Sequence, residues 1–487
     1  MTEEAGMSGR ILTVAAFGAA LALSTAITAS PTRATDEITI GPEARQALNL
    51  TIYNGNLALV QDRRQLSVAA GLNRIGFAGV SRAMMSETAL LGIEPAARVR
   101  LLEQDFAFDL LTPSKIREHA VGQKVQLVTT HPTTGSEAVK EGVLLSTQGG
   151  LVVKIGDRIE TNPPGRLVFT NLPPGLRREP TLLATLDAQD AAKRVLDLRY
   201  LTGALTWQAN YTADYAEADG MLSLQGWATV TNRTGIDFEN ATLRFVAGSI
   251  NRRSAPPRPE RMRSMAKMAM DSPAPSGGIA AQAVGDYYLY QLPRKATLAN
   301  QQTKQLALLK ATKVPVVREY RLSGRGFHYR RHGGVQRKNA EIILRFKNAK
   351  SDGLGVPLAA GIVRVYGKHD DGSSIFLGED RMRHTAKGRK VELSLGRAFD
   401  ISTKRRQTSF KKQGLAKNTF EAAYKIEVSN AKSKPAAVKI VEYLPGEWRI
   451  LEETHRHSKN TAQQAVWTLN VPAGGKAVLT YKVRVHR

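Results

Sequence analysis

The sequence contains no cysteine among its 487 residues. This absence excludes disulfide bonds, thiolate zinc sites and cysteine nucleophiles, and it also excludes a lipid anchor attached to an amino-terminal cysteine. The folded protein must therefore be stabilised by burial of apolar groups, for which an apolar content of 42% is sufficient.

Long apolar runs are also scarce, and one of them stands out. The uncharged stretch from Ile11 to Ser30 directly follows Arg10, and small residues surround Ala29 and Ala34. This order predicts that residues 1–34 are a secretory signal peptide and that the protein is periplasmic or secreted. The alternative is a retained membrane anchor, because about 20 residues can span a bilayer. A composition of Ala, Ser and Thr rather than Leu favours cleavage.

Acidic residues are few relative to basic ones. The chain has 69 Lys and Arg against 43 Asp and Glu, which gives a net charge of +26 and an isoelectric point near 10.2. A charge of this size predicts attraction to anions such as acidic lipid headgroups, acidic glycans or nucleic acid. The length of the chain predicts about two to four domains.

Alternation of apolar and polar residues dominates the sequence after residue 36. Apolar residues occupy every second position in five segments, namely 222–230, 342–346, 391–395, 424–428 and 479–485, and Trp227 breaks the rule in the first of them. A period of two is typical of a half-buried strand. The sequence therefore predicts an all-β fold of several small antiparallel domains, sandwiches and a barrel, with a C-terminal β-sandwich.

Glycine-containing turns support this fold class. Asp371-Gly372 and Ala473-Gly474-Gly475 each predict a hairpin. Gly149-Gly150 predicts a tight turn within residues 121–172, where three strand-like segments predict the small barrel.

Composition suggests how the chain divides into domains. We predict an N-terminal β domain over residues 37–190 that includes the barrel, a central β domain over 191–312, and a basic β-sandwich over 313–487. Residues 251–285 are rich in Pro, Ser, Gly and Arg. They are predicted to form a disordered loop, because such a segment cannot bury enough apolar surface to offset its conformational entropy.

Sequence signatures of catalysis are absent. No P-loop, nucleophile elbow, H-E-x-x-H motif or EF-hand pattern occurs in the chain. Triads and carboxylate pairs assemble from residues that are distant in sequence, so this absence weakens the hypothesis of an enzyme without removing it. The sequence predicts no cofactor.

Two histidine pairs have a spacing that could suit a metal. They are His455 with His457 and His328 with His332. Arg456 and Lys459 add positive charge beside the first pair. Exposed loop histidines are therefore favoured over a metal site.

Glycine-rich segments suggest a phosphate-binding site and tryptophans suggest a carbohydrate-binding site, but each feature has a simpler structural explanation. Residues 323–326 and 333–334 are glycine-rich, but no helix is predicted to follow them, so hairpin tips are favoured over a phosphate cradle. The four tryptophans lie in strand-like segments, which favours buried packing over an exposed carbohydrate platform. They are Trp207, Trp227, Trp448 and Trp467.

Positive charge is concentrated between residues 313 and 412, which hold 24 Lys and Arg against 9 Asp and Glu. The densest part is predicted to be a loop after a strand that ends near Leu395. Charges within about 8 Å of one another sum into a field that attracts polyanions. We therefore predict a polyanion-binding site, the alternative being a solvated surface that aids solubility. Its residues are Lys404, Arg405, Arg406, Lys411 and Lys412.

Four separated segments resemble a known bacterial family. They are LTIYNGNLALVQDRRQLSVAAGLNRIGFAGV at 50–80, LRYLTGALTWQANYTADY at 198–215, LSLQGWATVTNRTGIDFENATLRFVAG at 222–248, and the segment 356–401 that begins VPLAAGIVRVYG. Together they resemble the domain of unknown function 4139, which is related to the mucoidy inhibitor A-like proteins. The resemblance implies an exported, β-rich protein with a carboxy-terminal β-sandwich, and it carries over no catalytic residues. The chain lacks the long heptad-bearing coiled coil of the mucoidy inhibitor A-like members.

Two classes of function are consistent with these features. The first is a non-enzymatic cell-envelope protein that binds or scaffolds acidic lipid headgroups, exopolysaccharide or other envelope proteins. The alternative is a hydrolase of envelope polymers whose site is not visible in the sequence. Export argues against nucleic acid as the partner, and the basic stretch lacks the interleaved aromatics that stack on bases.

We expect the mature protein to begin between Ala29 and Thr35, because the uncharged run ends there in small residues. Amino-terminal sequencing of protein purified from cells would check this. A chain that still begins at Met1 or Met7 would contradict it.

Overall fold

Strands make up 67% of the computed structural model and helices 4%, which confirms the prediction of an all-β protein. The structure describes residues 37–487 except 108, 174, 249–279, 285–286, 326–327, 370, 414–417, 445 and 487. The predicted signal peptide and most of the predicted loop 251–285 lie outside the described residues.

Strands are numbered in chain order. The strands before residue 170 are β1 (Glu37–Ile40), β2 (Arg45–Tyr53), β3 (Leu57–Val68), β4 (Gly71–Ala78), β5 (Leu90–Glu94), β6 (Val99–Ala107), β7 (Lys124–Thr130), β8 (Glu137–Ser146), β9 (Val152–Ile155), β10 (Arg158–Thr161) and β11 (Arg166–Val168). Those that follow up to residue 325 are β12 (Thr181–Ala188), β13 (Ala192–Thr202), β14 (Leu205–Ala216), β15 (Met221–Asn232), β16 (Phe238–Ala247), β17 (Ala280–Val284), β18 (Tyr287–Gln291), β19 (Ala296–Leu298) and β20 (Gln302–Arg325). The remainder are β21 (Val335–Lys347), β22 (Gly361–Lys368), β23 (Ser374–Met382), β24 (Lys390–Gln413), β25 (Thr419–Asn430), β26 (Ala436–Tyr443), β27 (Glu447–Glu453), β28 (Ser458–Thr461), β29 (Gln464–Val471) and β30 (Lys476–His486).

Among the described residues, helical structure is limited to short pieces. The α-helix α1 (Pro113–His119) begins with proline at its first position, and the hydroxyl of Thr112 accepts a hydrogen bond from the backbone N–H of Lys115. Single 3₁₀ turns cover Pro42–Ala44, Ser86–Thr88 and Lys350–Asp352. In the part of the chain that the structure describes, no helix has the length and apolar composition needed to cross a membrane.

The five alternating segments all lie in strands, namely β15, β21, β24, β25 and β30. In β15, Leu222, Leu224, Ala228 and Val230 are buried, and the alternate residues Ser223, Gln225, Trp227 and Thr229 are half-buried. Burial therefore follows the period of two that the sequence shows.

The strands of the described residues assemble into four sheets. Three have the orders β1-β4-β12-β6, β10-β9-β8-β7-β11 and β17-β18-β16-β2-β3-β13-β5, with β19 added beside β16. The largest has the order β23-β22-β14-β15-β20-β21-β24-β25-β30-β27, and β26, β28 and β29 join it through β20. Most neighbouring strands are antiparallel, and β1 with β4, β2 with β16, β14 with β22, and β20 with β26 are parallel.

The prediction of a small barrel within residues 121–172 is wrong. Its strands β7, β8 and β9 lie where they were predicted, but the sheet is open, with β10 and β11 at its two edges. Five short strands without a closing hydrogen-bonded pair form a curved sheet rather than a barrel. The apolar side is small, with Ala120, Val125, Leu144 and Val153 as its buried residues.

One predicted hairpin is confirmed and the other is wrong. Strands β22 and β23 pair across Asp371-Gly372, where Gly372 has a φ of +85°. The turn Ala473–Gly475 instead joins β29, which pairs with β26, to β30, which pairs with β25 and β27. This turn therefore connects one sheet layer of the C-terminal sandwich to the other. The residues of a turn do not by themselves determine whether it joins two strands of one layer or strands of different layers.

The predicted loop 251–285 includes a short strand near its end, and that the rest is disordered stays a prediction. Residues 280–284 form β17, which pairs with β18. A segment with few bulky apolar residues can be held in this way, because the backbone hydrogen bonds come from its neighbour.

Two main cores stabilise the fold. The larger one contains buried residues from Ile40 to Leu393, and the other contains residues of the C-terminal sandwich from Tyr320 to Val485. The boundary expected at 190/191 lies between two strands that bury side chains in the larger core, and the boundary expected at 312/313 lies within β20. The division into domains stays a prediction.

Two long strands connect these cores by changing partners. The first part of β20 pairs with β15, residues 316–321 pair with β21, and residues 320–325 pair with β26. Strand β24 pairs with β21 along both of its halves and with β25 from Ile401 onward. The C-terminal sandwich therefore begins near Tyr320, where the pairing partner of β20 changes from β21 to β26.

An ion-pair network lies at this crossing point. The carboxylate of Glu319 accepts hydrogen bonds from Lys439 Nζ at 2.6 Å and Arg321 Nε at 3.1 Å, and Arg345 lies 3.1 Å away. Arg321 and Arg345 also bind Glu392, at 3.0 and 2.7 Å. Burial by itself would raise the pKa of Glu319, but Lys439 and the two arginines outweigh it and lower that pKa below its usual 4.5.

We expect Glu319→Gln to lower the free energy of unfolding by about 1–3 kcal/mol at neutral pH, because charged hydrogen bonds are lost. A carboxylate with a lowered folded-state pKa stabilises the protein above its unfolded pKa, and this contribution disappears as pH falls through the folded pKa. The difference between variant and parent should therefore be constant above about pH 5 and shrink below the usual value of 4.5.

Urea unfolding across pH would measure this difference. Glu341→Gln is the matched control, since Glu341 pairs with Arg321 in the β ladder and has no ion pair within the described residues. A difference between Glu319→Gln and parent that persists at acid pH would contradict the role of the charge.

Candidate functional site

The predicted basic loop is a strand. Lys404, Arg406, Lys411 and Lys412 all lie in β24, which runs without interruption from Lys390 to Gln413. The expectation of a loop is wrong, because β24 is held on both sides by ladders to β21 and β25. These four side chains are nevertheless exposed.

Cross-strand pairing gathers further cations on the same side of the sheet. Arg337 of β21 lies directly opposite Lys404, and Lys425 of β25 lies directly opposite Arg406. Opposite residues share a face and have Cβ atoms about 5 Å apart. We call the outward side chains of Arg337, Lys404, Arg406, Lys411 and Lys425 the basic face.

The nearby carboxylates are already engaged by other cations. Glu427 pairs with Lys476 at 3.2 Å, and Glu421 pairs with Arg484 at 2.7 Å. The pKa of Glu427 is lowered by its hydrogen bond to Lys476 and also by the charges of Lys404 and Lys425. Glu427 lies directly opposite Lys404, and Glu421 lies directly opposite Lys411, but within the described residues neither carboxylate comes within 4.0 Å of a side-chain nitrogen of the basic face. The five cations outnumber these two acids, which already bind Lys476 and Arg484, so the face keeps a positive field.

Arg405 behaves differently from its neighbours. It points into the sandwich, is 7% exposed, and donates from Nε and Nη2 to the two oxygens of Glu442 at 2.8 and 3.1 Å. Its guanidinium lies 4.0 Å from the ring centroid of Tyr424. Burial alone would lower the pKa of Arg405, but the charge of Glu442 outweighs it and raises that pKa. The expectation that Arg405 points outward is therefore wrong, because its position in the strand faces the core.

Glu442 is accommodated by a glycine. Gly324 of β20 lies beside Glu442 in the parallel ladder, and a Cβ atom at residue 324 would lie 2.3 Å from a Glu442 carboxylate oxygen. The prediction of a hairpin tip is wrong for Ser323 and Gly324, which lie within β20. Gly333 and Gly334 do lie between strands, in the segment that connects β20 to β21.

His328 is buried beside this pair rather than exposed in a loop as predicted. Its Nε2 atom lies 3.8 Å from Glu442 Oε2, and its ring meets Tyr424 edge-on at 5.3 Å. Burial, and then the charge of Arg405, lower the pKa of His328 to about 3. The imidazole is therefore neutral at physiological pH, which is compatible with its place next to a guanidinium.

The other histidines do not assemble a metal site with their neighbours. His455 is exposed as predicted, whereas His457 is half-buried, lies between Trp448 and Trp467, and contacts Glu453 at 2.9 Å. Over the described residues, no group of three or more His, Asp or Glu side chains is placed to hold a metal ion.

A small cavity lies beside Arg405 and Glu442. It has a volume of about 30 Å³ and is also lined by Ser323, Gln336 and Thr403. A space of this size holds about one water molecule. It suits hydration of a buried ion pair rather than binding of a substrate.

The sequence analysis did not predict that Glu442 is part of the site or that Arg405 points inward, although the position of each residue within its strand indicates both. Arg405 is in phase with Ile401 and Thr403, which are buried, and Glu442 is in phase with the buried Val438 and Ile440. A charged residue at an apolar position of an alternating strand predicts a buried, paired charge.

We expect Glu442→Ala to cost about 3–5 kcal/mol, because it leaves the Arg405 charge buried without a partner. Gly324→Ala should also destabilise the protein, since its methyl group displaces the Glu442 carboxylate. In the Glu442→Ala background the same glycine substitution should cost little, which gives a coupling energy of about 0.5–3 kcal/mol.

Chemical unfolding of the two single variants and the double variant would measure this coupling. Gly333→Ala is the control, because a Cβ atom there meets open space. Strictly additive costs would contradict the proposed steric relation between Gly324 and Glu442.

Comparison with known proteins places the chain in a family. A search of curated proteins found no match. The model of the family described as "Domain of unknown function (DUF4139)" matches residues 196–486, which include β14, β15 and the whole C-terminal sandwich. The match extends over more than half of the chain, and the protein therefore belongs to the DUF4139 family.

Proposed function

We propose that this protein is an exported, non-enzymatic component of the cell envelope that binds acidic polymers or acidic lipid surfaces through its basic face. The observation that carries the proposal is the set of unpaired cations on the outward side of β21, β24 and β25. Export is supported by the uncharged run from Ile11 to Ser30 and the small residues at its end.

The spacing of the cations suits a ligand with repeated negative charge. Neighbouring strands lie about 4.8 Å apart, and every second residue along a strand is about 6.8 Å away. Arg337, Lys404, Arg406 and Lys425 occupy adjacent positions of this grid. The three spacings between neighbours, Arg337 to Lys404, Lys404 to Arg406 and Arg406 to Lys425, are shorter than the Debye length of about 8 Å at physiological salt, so the charges act together.

The strands that carry the basic face are held by their neighbours, and this favours binding of a ligand to the face. Strand β25 is hydrogen-bonded to β24 and β30 along its length, β24 has neighbours on both sides over residues 402–406, and the opposite side packs on Ile401, Tyr424 and Ile426. Side chains on a packed sheet lose less freedom on binding than those on a loop, which lowers the entropic cost of association.

We expect the triple variant Lys404→Gln, Arg406→Gln, Lys411→Gln to bind anionic surfaces about a hundredfold more weakly, at about 1 kcal/mol for each cation. Folding should be intact, because exposed substitutions cost under about 0.5 kcal/mol each. The measurement is sedimentation with vesicles containing phosphatidylglycerol and retention on a polygalacturonate column, each over a salt gradient. The two arms distinguish a lipid headgroup from an acidic polysaccharide.

The matched control removes the same charge elsewhere. Lys140, Lys154 and Arg158 are exposed cations of the five-stranded sheet, and replacing all three by glutamine should reduce binding only slightly. Equal binding by the two triple variants would show that net charge, rather than the basic face, is responsible.

A further inference from the structure

A second surface of the protein has a different chemistry. Strands β14 and β15 bury one side in the larger core, through residues such as Tyr211 and Leu224. Their other side faces outward and carries Gln208, Asn210 and Thr229, whose side chains are polar. Trp227 stands among them as a half-buried aromatic side chain.

The position of Trp227 explains its break in the alternation of β15. Trp207 and Trp467 are buried in cores, which confirms the prediction for those two residues, whereas Trp227 lies on the outward side and belongs to neither core. A tryptophan in the middle of a polar sheet face keeps apolar area in contact with water. Tryptophan is enriched at interfaces, because its ring is apolar and its N–H can form a hydrogen bond, so an indole on an outward sheet face is a candidate contact for a ligand.

The neighbours of the indole leave part of it accessible. Asn210 lies directly opposite on β14, and Ala307, which is exposed and small, lies opposite on β20. The Asn210 amide is held in place because its Nδ2 donates to the Thr229 hydroxyl at 2.9 Å. An apolar ring therefore stands beside oriented hydrogen-bonding groups.

A groove lies further along the same two strands, and Thr229, which accepts the hydrogen bond from Asn210, is one of its lining residues. It has a volume of about 520 Å³, within the range of ligand sites. Its lining residues are Asn56, Ala204, Thr206, Trp207, Gln208, Thr229, Thr231 and Arg233. From Trp227 to Thr231 the strand rises about 14 Å, which is the length of a short chain of sugar rings.

We propose that this groove and Trp227 form a binding site for a linear oligosaccharide. The C–H face of a sugar ring is apolar and stacks on an indole, whereas its hydroxyl groups exchange hydrogen bonds with amide and hydroxyl side chains. The lining side chains are uncharged except for Arg233, so the groove complements hydroxyl groups, with room for an acidic sugar at the end where Arg233 lies. This site is separate from the basic face and does not rest on the function proposed for that face.

The salt dependence of binding distinguishes the basic face from the groove beside Trp227. Binding to the basic face weakens as salt screens it, whereas stacking and hydrogen bonding by neutral groups depend little on ionic strength. The test therefore uses the full chain in about 0.5 M NaCl, where the Debye length is shorter than the spacing of the basic-face charges. The probes are cellohexaose, chitohexaose, mannohexaose and hexagalacturonate, each followed by calorimetry and by quenching of indole fluorescence.

We expect at least one hexasaccharide to bind at high salt and Trp227→Leu to weaken it at least tenfold. Trp227→Phe should retain part of the affinity, because it keeps an aromatic face, and Asn210→Ala should weaken binding to a smaller extent. Trp448→Leu is the control, since Trp448 is also half-buried but lies in β27. Thermal unfolding of every variant shows that the loss of affinity is not a loss of fold.

Two results would overturn the proposal. The first is that no hexasaccharide binds at high salt, and the second is that Trp227→Leu binds as the parent does. Neither result bears on the basic face, whose test depends on low salt and on other residues.

Discussion

Successive side chains of a β-strand project to opposite faces of its sheet, and this constraint governs both the core and the candidate sites. Inward positions must be apolar or fully paired, because an unpaired charge in the core is costly. Arg405 and Glu442 satisfy the rule by binding one another with two hydrogen bonds. Outward positions carry no such requirement, and they hold Lys404, Arg406 and Trp227.

A change of partners along β20 joins the two main cores. Its first half completes the sheet that carries Trp227, and its last residues belong to the sheet layer that carries Glu442. The network around Glu319 lies where these pairings meet. Its ion pairs add side-chain contacts from β20 to Arg345 of β21 and Lys439 of β26, beside the backbone ladders that join these strands.

The two candidate surfaces differ in the physics of binding. The basic face relies on summed charge and is sensitive to salt, whereas the groove beside Trp227 relies on shape, stacking and hydrogen bonds. Both lie within residues 196–486, the part of the chain that matches the DUF4139 family.

The sequence by itself determined the all-β class, the strands that contain the five alternating segments, and the inward direction of residues such as Tyr424 and Leu479, because a period of two is a local property. It did not determine that Lys404 and Arg406 lie in a strand, since a run of cations has no apolar alternation of its own and depends on ladders to β21 and β25. The open edge of the five-stranded sheet, the crossing from β29 to β30 and the burial of His328 were likewise decided by contacts between distant segments. Such contacts select among pairings that are locally equivalent, and only the tertiary structure can choose between them.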